Sequence, residues 1–138
     1  KQLELNGLLK QYLQDYEEVY DYRNIEVTID EQDIFNVTIN ESLAVALLTN
    51  LLKNAFVHNI DGGHIRITVT KNSITFRNSG VENPLDKEHI FERFYQGTKK
   101  EGSTGLGLAI ADSICRLQHL SIRYYFEQEE HCFEISRQ

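Results

Sequence analysis

The chain has 138 residues and a mass of 16.0 kDa, the size of one ordinary domain, which excludes a multidomain enzyme within it. Hydrophobic residues at 41% and charged residues at 25%, with one proline and eight glycines, fit a soluble globular fold and exclude a disordered or collagen-like chain. Fourteen Lys and Arg against twenty-one Asp and Glu give a formal net charge of −7, which repels phosphate backbones and anionic lipid, so nucleic acid is not an expected partner.

Cys115 and Cys132 form no C-x-x-C pair, and reduced thiols in a cytosolic setting are expected. No apolar run approaches the roughly 20 residues that cross a bilayer. The N-terminus lacks the pattern of a signal peptide, and it begins with Lys1 rather than Met, so a fragment of a longer protein is expected.

Leu5, Leu8, Leu9, Tyr12, Leu13, Tyr16, Val19 and Tyr20 recur at spacings of three and four, which predicts an amphipathic helix over residues 3–20, ended by Arg23-Asn24. Residues 25–29 alternate as a half-buried strand does, and residues 34–39 are equally rich in branched and aromatic side chains. With the turn chemistry of residues 30–33 between them, they read as a hairpin. Asn40, Glu41 and Ser42 are suited to cap a second helix running to about His58. Asp61-Gly62-Gly63 breaks it, and residues 64–70 and 74–77 form a second hairpin around Lys71-Asn72.

Residues 79–104 are polar and weakly periodic, apart from the apolar cluster of Ile90, Phe91, Phe94 and Tyr95; they read as a long loop with one helical turn. Loops longer than roughly 15 residues in a compact domain are usually functional, often lids. A third helix over residues 105–117 and a last hairpin, 121–126 with 132–136, complete the chain. Strands arriving in hairpin pairs argue against βαβ units. They point to a two-layer α/β sandwich, a mixed, mostly antiparallel sheet packed on three helices.

Three stretches have residue types that suit chemistry. The second helix is apolar except for Thr49, Asn50, Lys53 and Asn54, which share one sector, with Asn50 and Asn54 one turn apart. A solvent-facing stripe would look the same, but amide carbonyls are also hard oxygen ligands suited to an Mg²⁺ that leans on substrate phosphates. Gly102-Ser103-Thr104-Gly105-Leu106-Gly107-Leu108 runs into the third helix. Glycines let a backbone approach an anion closely, and a helix N-terminus attracts it. The spacing is neither that of a P-loop nor that of a dinucleotide fingerprint, and a flexible connection is the plain alternative. Arg77-Asn78-Ser79-Gly80 ends a strand and is followed by Phe91-Glu92-Arg93-Phe94-Tyr95; singly, these are a turn and a core anchor.

Together and in this order, the stretches resemble the nucleotide-binding domain shared by sensor histidine kinases and their ATPase relatives, the gyrase, heat-shock-90 and MutL group. Residues 50–58 look like the N box of that family, Asn78-Ser79-Gly80 stands at its G1 box, Phe91-Glu92-Arg93-Phe94 matches the F box, and Gly105-Leu106-Gly107-Leu108 matches the G2 box. The resemblance covers nearly the whole chain and, through the F box, favours the kinase branch.

It implies a Bergerat-type fold with an ATP lid, and ATP with Mg²⁺ as cofactors. Asn50 would coordinate the metal and Asn54 the phosphates, while Thr104, Gly105, Leu106, Gly107 and Leu108 would hold the triphosphate. Asn78 and Gly80 would receive the base, His58 would either line the nucleotide site or cap its helix, and Lys99 or Lys100 would move toward the phosphates.

Four departures bear on this. Asn78 replaces the family's Asp, so adenine recognition weakens by about 1 kcal/mol, because charge-assisted bonds are roughly twice as strong as neutral ones. Glu82 stands at the second glycine of the G1 box, and Val57 where a basic residue is often found. Ala46 occupies the position of the ATPases' water-activating Glu, which favours phosphotransfer over hydrolysis.

None of the five histidines suits a phosphoacceptor, so the acceptor is expected on an upstream dimerisation domain. The expected whole is a sensor kinase, homodimeric at full length, acting on a response regulator, with this chain as a monomeric cytoplasmic domain of a membrane-anchored receptor. The rivals are a degenerate regulatory module that no longer holds ATP, and a serine kinase or ATPase of the same superfamily.

Overall fold

A computed structural model describes residues 2–80, 85–92 and 106–138. In chain order the elements are β1 (Gln2–Glu4), α1 (Leu5–Val19), a 3₁₀ turn (Asp21–Arg23), β2 (Glu26–Glu31), β3 (Asn36–Thr38), α2 (Glu41–Val57), β4 (His64–Val69), β5 (Ser73–Asn78), α3 (Gly107–Leu117), β6 (Leu120–Glu127) and β7 (Glu130–Arg137). The main sheet has the order β2-β4-β5-β7-β6, with β2 and β4 parallel and the other pairs antiparallel. Three helices cover one face, so the expected two-layer sandwich with a mixed, mostly antiparallel sheet is the fold observed.

The alternation read in the strands sorts the two faces. Ile65, Ile67, Val69, Ile74, Phe76, Phe133 and Ile135 point inward against Leu5, Leu9, Leu13, Leu47, Leu48, Leu51, Leu52, Phe56 and Ile114 of the helices. Arg66, Thr68, Arg77, Arg123 and Glu134 lie on the opposite face, where Arg123 Nε pairs with Glu134 Oε1 at 2.5 Å. Tyr16, Tyr20 and Phe56 stack between α1 and α2, with centroids 5.4–6.3 Å apart.

The first hairpin expected from the sequence is not formed. β2 pairs in parallel with β4, Glu26 opposite His64 through Glu31 opposite Val69, and β3 pairs instead with β1, Gln2 opposite Thr38. Turn chemistry at residues 30–33 reverses the chain but does not choose its partner. A buried side chain holds the reversal: Asn6 Nδ2 donates to Glu31 Oε1 (2.9 Å) and to the Asp33 carbonyl (3.0 Å), and Asn6 Oδ1 accepts from Phe35 N–H (3.0 Å). Residues 2–4 are therefore strand rather than the start of α1.

The β6–β7 turn is tighter than expected, because Gln128 (φ 52°) and Glu129 (φ 61°) both take the left-handed conformation that a two-residue hairpin loop needs. Neither residue is the Gly or Asn that usually signals such a turn. Phe94 and Tyr95, expected in the lid's apolar cluster, lie outside the described residues; Ile90 is buried in the core, and Phe91 packs edge-on against Phe133.

Candidate functional site

The site is built around α2. Asn40 caps it, its Oδ1 accepting from Leu43 N–H at 3.3 Å, and an almost unbroken apolar face drives it into the core. Its C-terminus has no basic residue of its own; Arg23 supplies one from the 3₁₀ turn. The Arg23 guanidinium donates to the carbonyls of Phe56, Val57 and Asn59 and pairs with Asp61 at 2.8 Å. The polar stripe of α2 is thereby held at both ends.

Along that stripe, Asn50 Nδ2 donates to the Ala46 carbonyl at 2.7 Å, which leaves Oδ1 turned out from the helix. Gly107, at the first turn of α3, lies against it: a Cβ on Gly107 would stand 3.0 Å from Asn50 Oδ1. Leu106, the N-cap of α3, makes no side-chain cap hydrogen bond among the described residues, and a helix N-terminus favours anions. Asn54 lies one turn further on and is half-buried, and His58 closes the helix as its C-cap.

At the His58 end the backbone of Gly80 is pinched. A Cβ there would stand 3.0 Å from the His58 carbonyl and 3.2 Å from Cδ2 of His131. Asn78, opposite His131 in the β5–β7 register, is only 2% exposed, and its Nδ2 donates to the Ser79 carbonyl at 2.8 Å. Asn78 Oδ1, a buried acceptor, has no hydrogen-bond partner among the described residues.

Asn50, Gly107 and the half-buried Leu108 thus gather at one end of the stripe, and His58, Gly80 and Asn78 at the other. Over the eight residues from Asn50 to His58 the helix rises about 12 Å. Thr104, Gly105, Lys99, Lys100 and Glu82 lie outside the described residues.

Sequence reading overlooked the groups that brace this arrangement. Asn59 is fully buried. Its Oδ1 accepts from Ser79 Oγ (2.6 Å) and Ile60 N–H (2.8 Å), and its Nδ2 donates to the His64 carbonyl (3.0 Å), tying the end of α2 to the G1 turn. On the other sheet face, Glu130 receives Arg66 through both oxygens (2.6 and 2.9 Å) and His64 Nε2 at 2.7 Å. The Arg66 guanidinium, more than any other group, holds the Glu130 carboxyl below the usual carboxylate range. No sequence spacing signals contacts across 20 to 66 positions.

Burial pushes the thiol pKa of Cys115 up to about 12 and that of Cys132 up to about 11, and neither forms a disulfide. Among the described residues no helix is long and apolar enough to cross a membrane. A concavity on α1 and the 3₁₀ turn is lined by Gln14, Glu17, Glu18 and Asp21, and its carboxylates repel phosphate.

Comparison with known proteins bears on the family and the fold. Residues 39–136 match the family described as histidine kinase-, DNA gyrase B- and HSP90-like ATPase. The heme sensor protein HssS of Staphylococcus aureus (strain Newman) is 33% identical over 127 residues, which is 88% of this chain and 28% of that protein. The sensor histidine kinase RppB of a Synechocystis species is 43% identical over 84 residues, 54% of this chain and 18% of that one. The chain therefore spans less than a third of the length of these relatives.

Among solved structures, the catalytic domain of histidine kinase ThkA superposes with a TM-score of 0.84 at 25% identity, covering 98% of this chain and 92% of that one. A mycobacterial sensor histidine kinase, MprB, has the same fold at 17% identity, with a TM-score of 0.84 and 99% of each chain covered. With the family match spanning most of its length, and kinases among both its sequence relatives and its structural neighbours, the chain belongs to the histidine kinase-, DNA gyrase B- and HSP90-like ATPases as a histidine kinase ATPase domain.

Proposed function

We propose that this chain is the single catalytic and ATP-binding domain of a longer sensor kinase, that it binds Mg-ATP along the polar stripe of α2, and that it presents the γ-phosphoryl to a histidine of an adjoining dimerisation domain. The observation that carries this reading is the placement of opposite chemistries at the two ends of one helix. An outward amide oxygen and the N-terminus of α3 meet at Asn50 and Gly107, and a buried acceptor without a partner among the described residues lies beyond His58 at Asn78. A triphosphate suits the first end, and the amino group of adenine suits the second.

Each group then has a definable task. Asn78 Oδ1 accepts from the adenine amino group, and the bond from its Nδ2 to Ser79 keeps that oxygen facing the base. Asn50 is held by Ala46 so that its oxygen, a hard ligand, faces the phosphates, and it would hold Mg²⁺ there. The metal's contribution is to neutralise charge on the β- and γ-phosphates. Asn54 donates to the phosphates between the two ends. Gly107 permits the close approach that a side chain would block, and the first turn of α3 adds N–H donors.

Transfer moves the γ-phosphorus from the β–γ bridging oxygen to an imidazole nitrogen, and ADP leaves. The chain's part is positioning and charge stabilisation. Ala46, where ATPase relatives have a Glu, offers water no base, which supports transfer over hydrolysis. The likeness to ThkA, which has been solved in complex with the response regulator protein TrrA, supports a response regulator as the downstream partner.

Calorimetric titration with the Mg²⁺ complex of a non-hydrolysable ATP analogue tests the reading. Micromolar to sub-millimolar binding is expected, lost at least tenfold in Asn50→Ala and Asn54→Ala. Absence of binding at millimolar nucleotide refutes it and leaves a regulatory module that does not use ATP.

A further inference from the structure

Tyr124 on β6 and His131 on β7 form a buried polar pair that the reading above does not use. Each is 4% exposed, and the Tyr124 hydroxyl lies 2.8 Å from His131 Nδ1. Phe126 packs on the imidazole with centroids 4.8 Å apart, and Phe133 packs on the tyrosine ring at 5.0 Å. Polar atoms at such core-facing positions are desolvated, and apolar side chains would fill the space without that penalty. What the pair adds is direction. The backbone N–H of Leu85 donates to the Tyr124 oxygen at 2.9 Å, while the imidazole edge lies against the backbone of Gly80. Both ends of the 81–84 connection therefore rest on one hydrogen-bonded unit, and His131 is the register partner of Asn78.

We propose that Tyr124 and His131 are positioning residues for the base end of the nucleotide site. The pair fixes where the chain leaves β5 and where it returns, and so sets the spacing between Gly80, Asn78 and the bound purine. This rests on the nucleotide-binding reading above. It touches only the base end, since the phosphate end at Asn50 and Gly107 is built from α2 and α3.

Tyr124→Phe removes one oxygen and keeps the ring. The proposal expects the Kd of Mg-bound AMP-PNP to rise at least fivefold in this variant while that of Mg-bound tripolyphosphate, which lacks a base, stays within twofold. In the wild-type chain the imidazole nitrogen resonances of His131 are expected to shift when AMP-PNP binds. An unchanged AMP-PNP affinity, or equal weakening of both ligands as a general loosening of the fold would produce, overturns it. Should the variant not fold, the wild-type resonances decide: no shift at saturating nucleotide overturns it. A wild-type chain that binds neither ligand removes the parent reading as well, whereas wild-type binding with an indifferent Tyr124→Phe removes the positioning role alone.

Discussion

Gly63→Ala is expected to destabilise the chain more than any other single methyl group added at a described glycine. The backbone of Gly63 is not in the left-handed region, so alanine meets no torsional penalty there and the effect is one of contact alone. A Cβ at Gly63 would overlap both Asn59 Oδ1 and Ser79 Oγ and stand 2.9 Å from the Ile60 carbonyl. Those atoms belong to a closed network: Ser79 Oγ to Asn59 Oδ1 at 2.6 Å, Ile60 N–H to Asn59 Oδ1 at 2.8 Å, and His64 N–H to Ser79 Oγ at 2.8 Å.

Relief of the overlap breaks at least two of these bonds, at roughly 1 kcal/mol net each, and strands a buried group at roughly 1–3 kcal/mol more. The total is about 3–5 kcal/mol, and at about 4 °C per kcal/mol for a chain of this size the midpoint falls by roughly 12–20 °C. Gly7→Ala is the control. Gly7 lies within α1 with no atom within 4 Å of its added methyl, so the same substitution gains roughly 0.5–1 kcal/mol of helix propensity. Urea and thermal unfolding followed by far-ultraviolet circular dichroism measure both. A Gly63→Ala variant within about 1 kcal/mol of wild type would refute the network as a structural brace.

Glu130→Gln is expected to destabilise the chain at pH 7 by about 1–3 kcal/mol, toward the low end because Arg66 and His64 are partly solvated. The Glu130 carboxyl is depressed chiefly by Arg66, so its stabilisation is complete above the unfolded value of about 4.3 and is lost as pH falls through the folded one. Denaturant melts from pH 6 to pH 3 should show a shallower loss of stability in Glu130→Gln than in wild type; parallel slopes would contradict the pairing. Asn78→Asp is expected to move two observables in opposite directions. It replaces the donation to the Ser79 carbonyl with a repulsion in a buried site, lowering apo stability by about 1–3 kcal/mol, and gives the base a charged acceptor, tightening adenine nucleotide by about 1 kcal/mol. Calorimetry and unfolding on the same samples read both, and weaker nucleotide binding would count against Asn78 as the base acceptor.

What could be read in advance was local. α2 showed itself through Asn40 and a continuous apolar run, and the β4–β5 hairpin through strict alternation around Lys71-Asn72. What escaped depends on partners distant in sequence. Leu3 falls on the side of the helix away from the stripe of Leu5, Leu9 and Tyr12, a sign that α1 begins later, but nothing in residues 2–4 names β3 as their partner. The parallel partner of β2 lies beyond an intervening helix, and nothing within residues 26–31 names it. Of the candidate site, the residues whose own chemistry suggests a ligand, Asn50, Asn54, Asn78 and the glycines, were visible as types and order. Asn59, Arg23, Glu130 and His131 were not, because each is defined by what it touches across the fold.

The pairing of β1 with β3 gives the fold a short tie near α2. Gln2 is laced to Thr38, two residues before Asn40, which starts the helix bearing Asn50, Asn54 and His58. Arg137 clasps the Asn36 carbonyl from the other side. The short ladder thus joins residue 2 to the strand that leads straight into the root of α2.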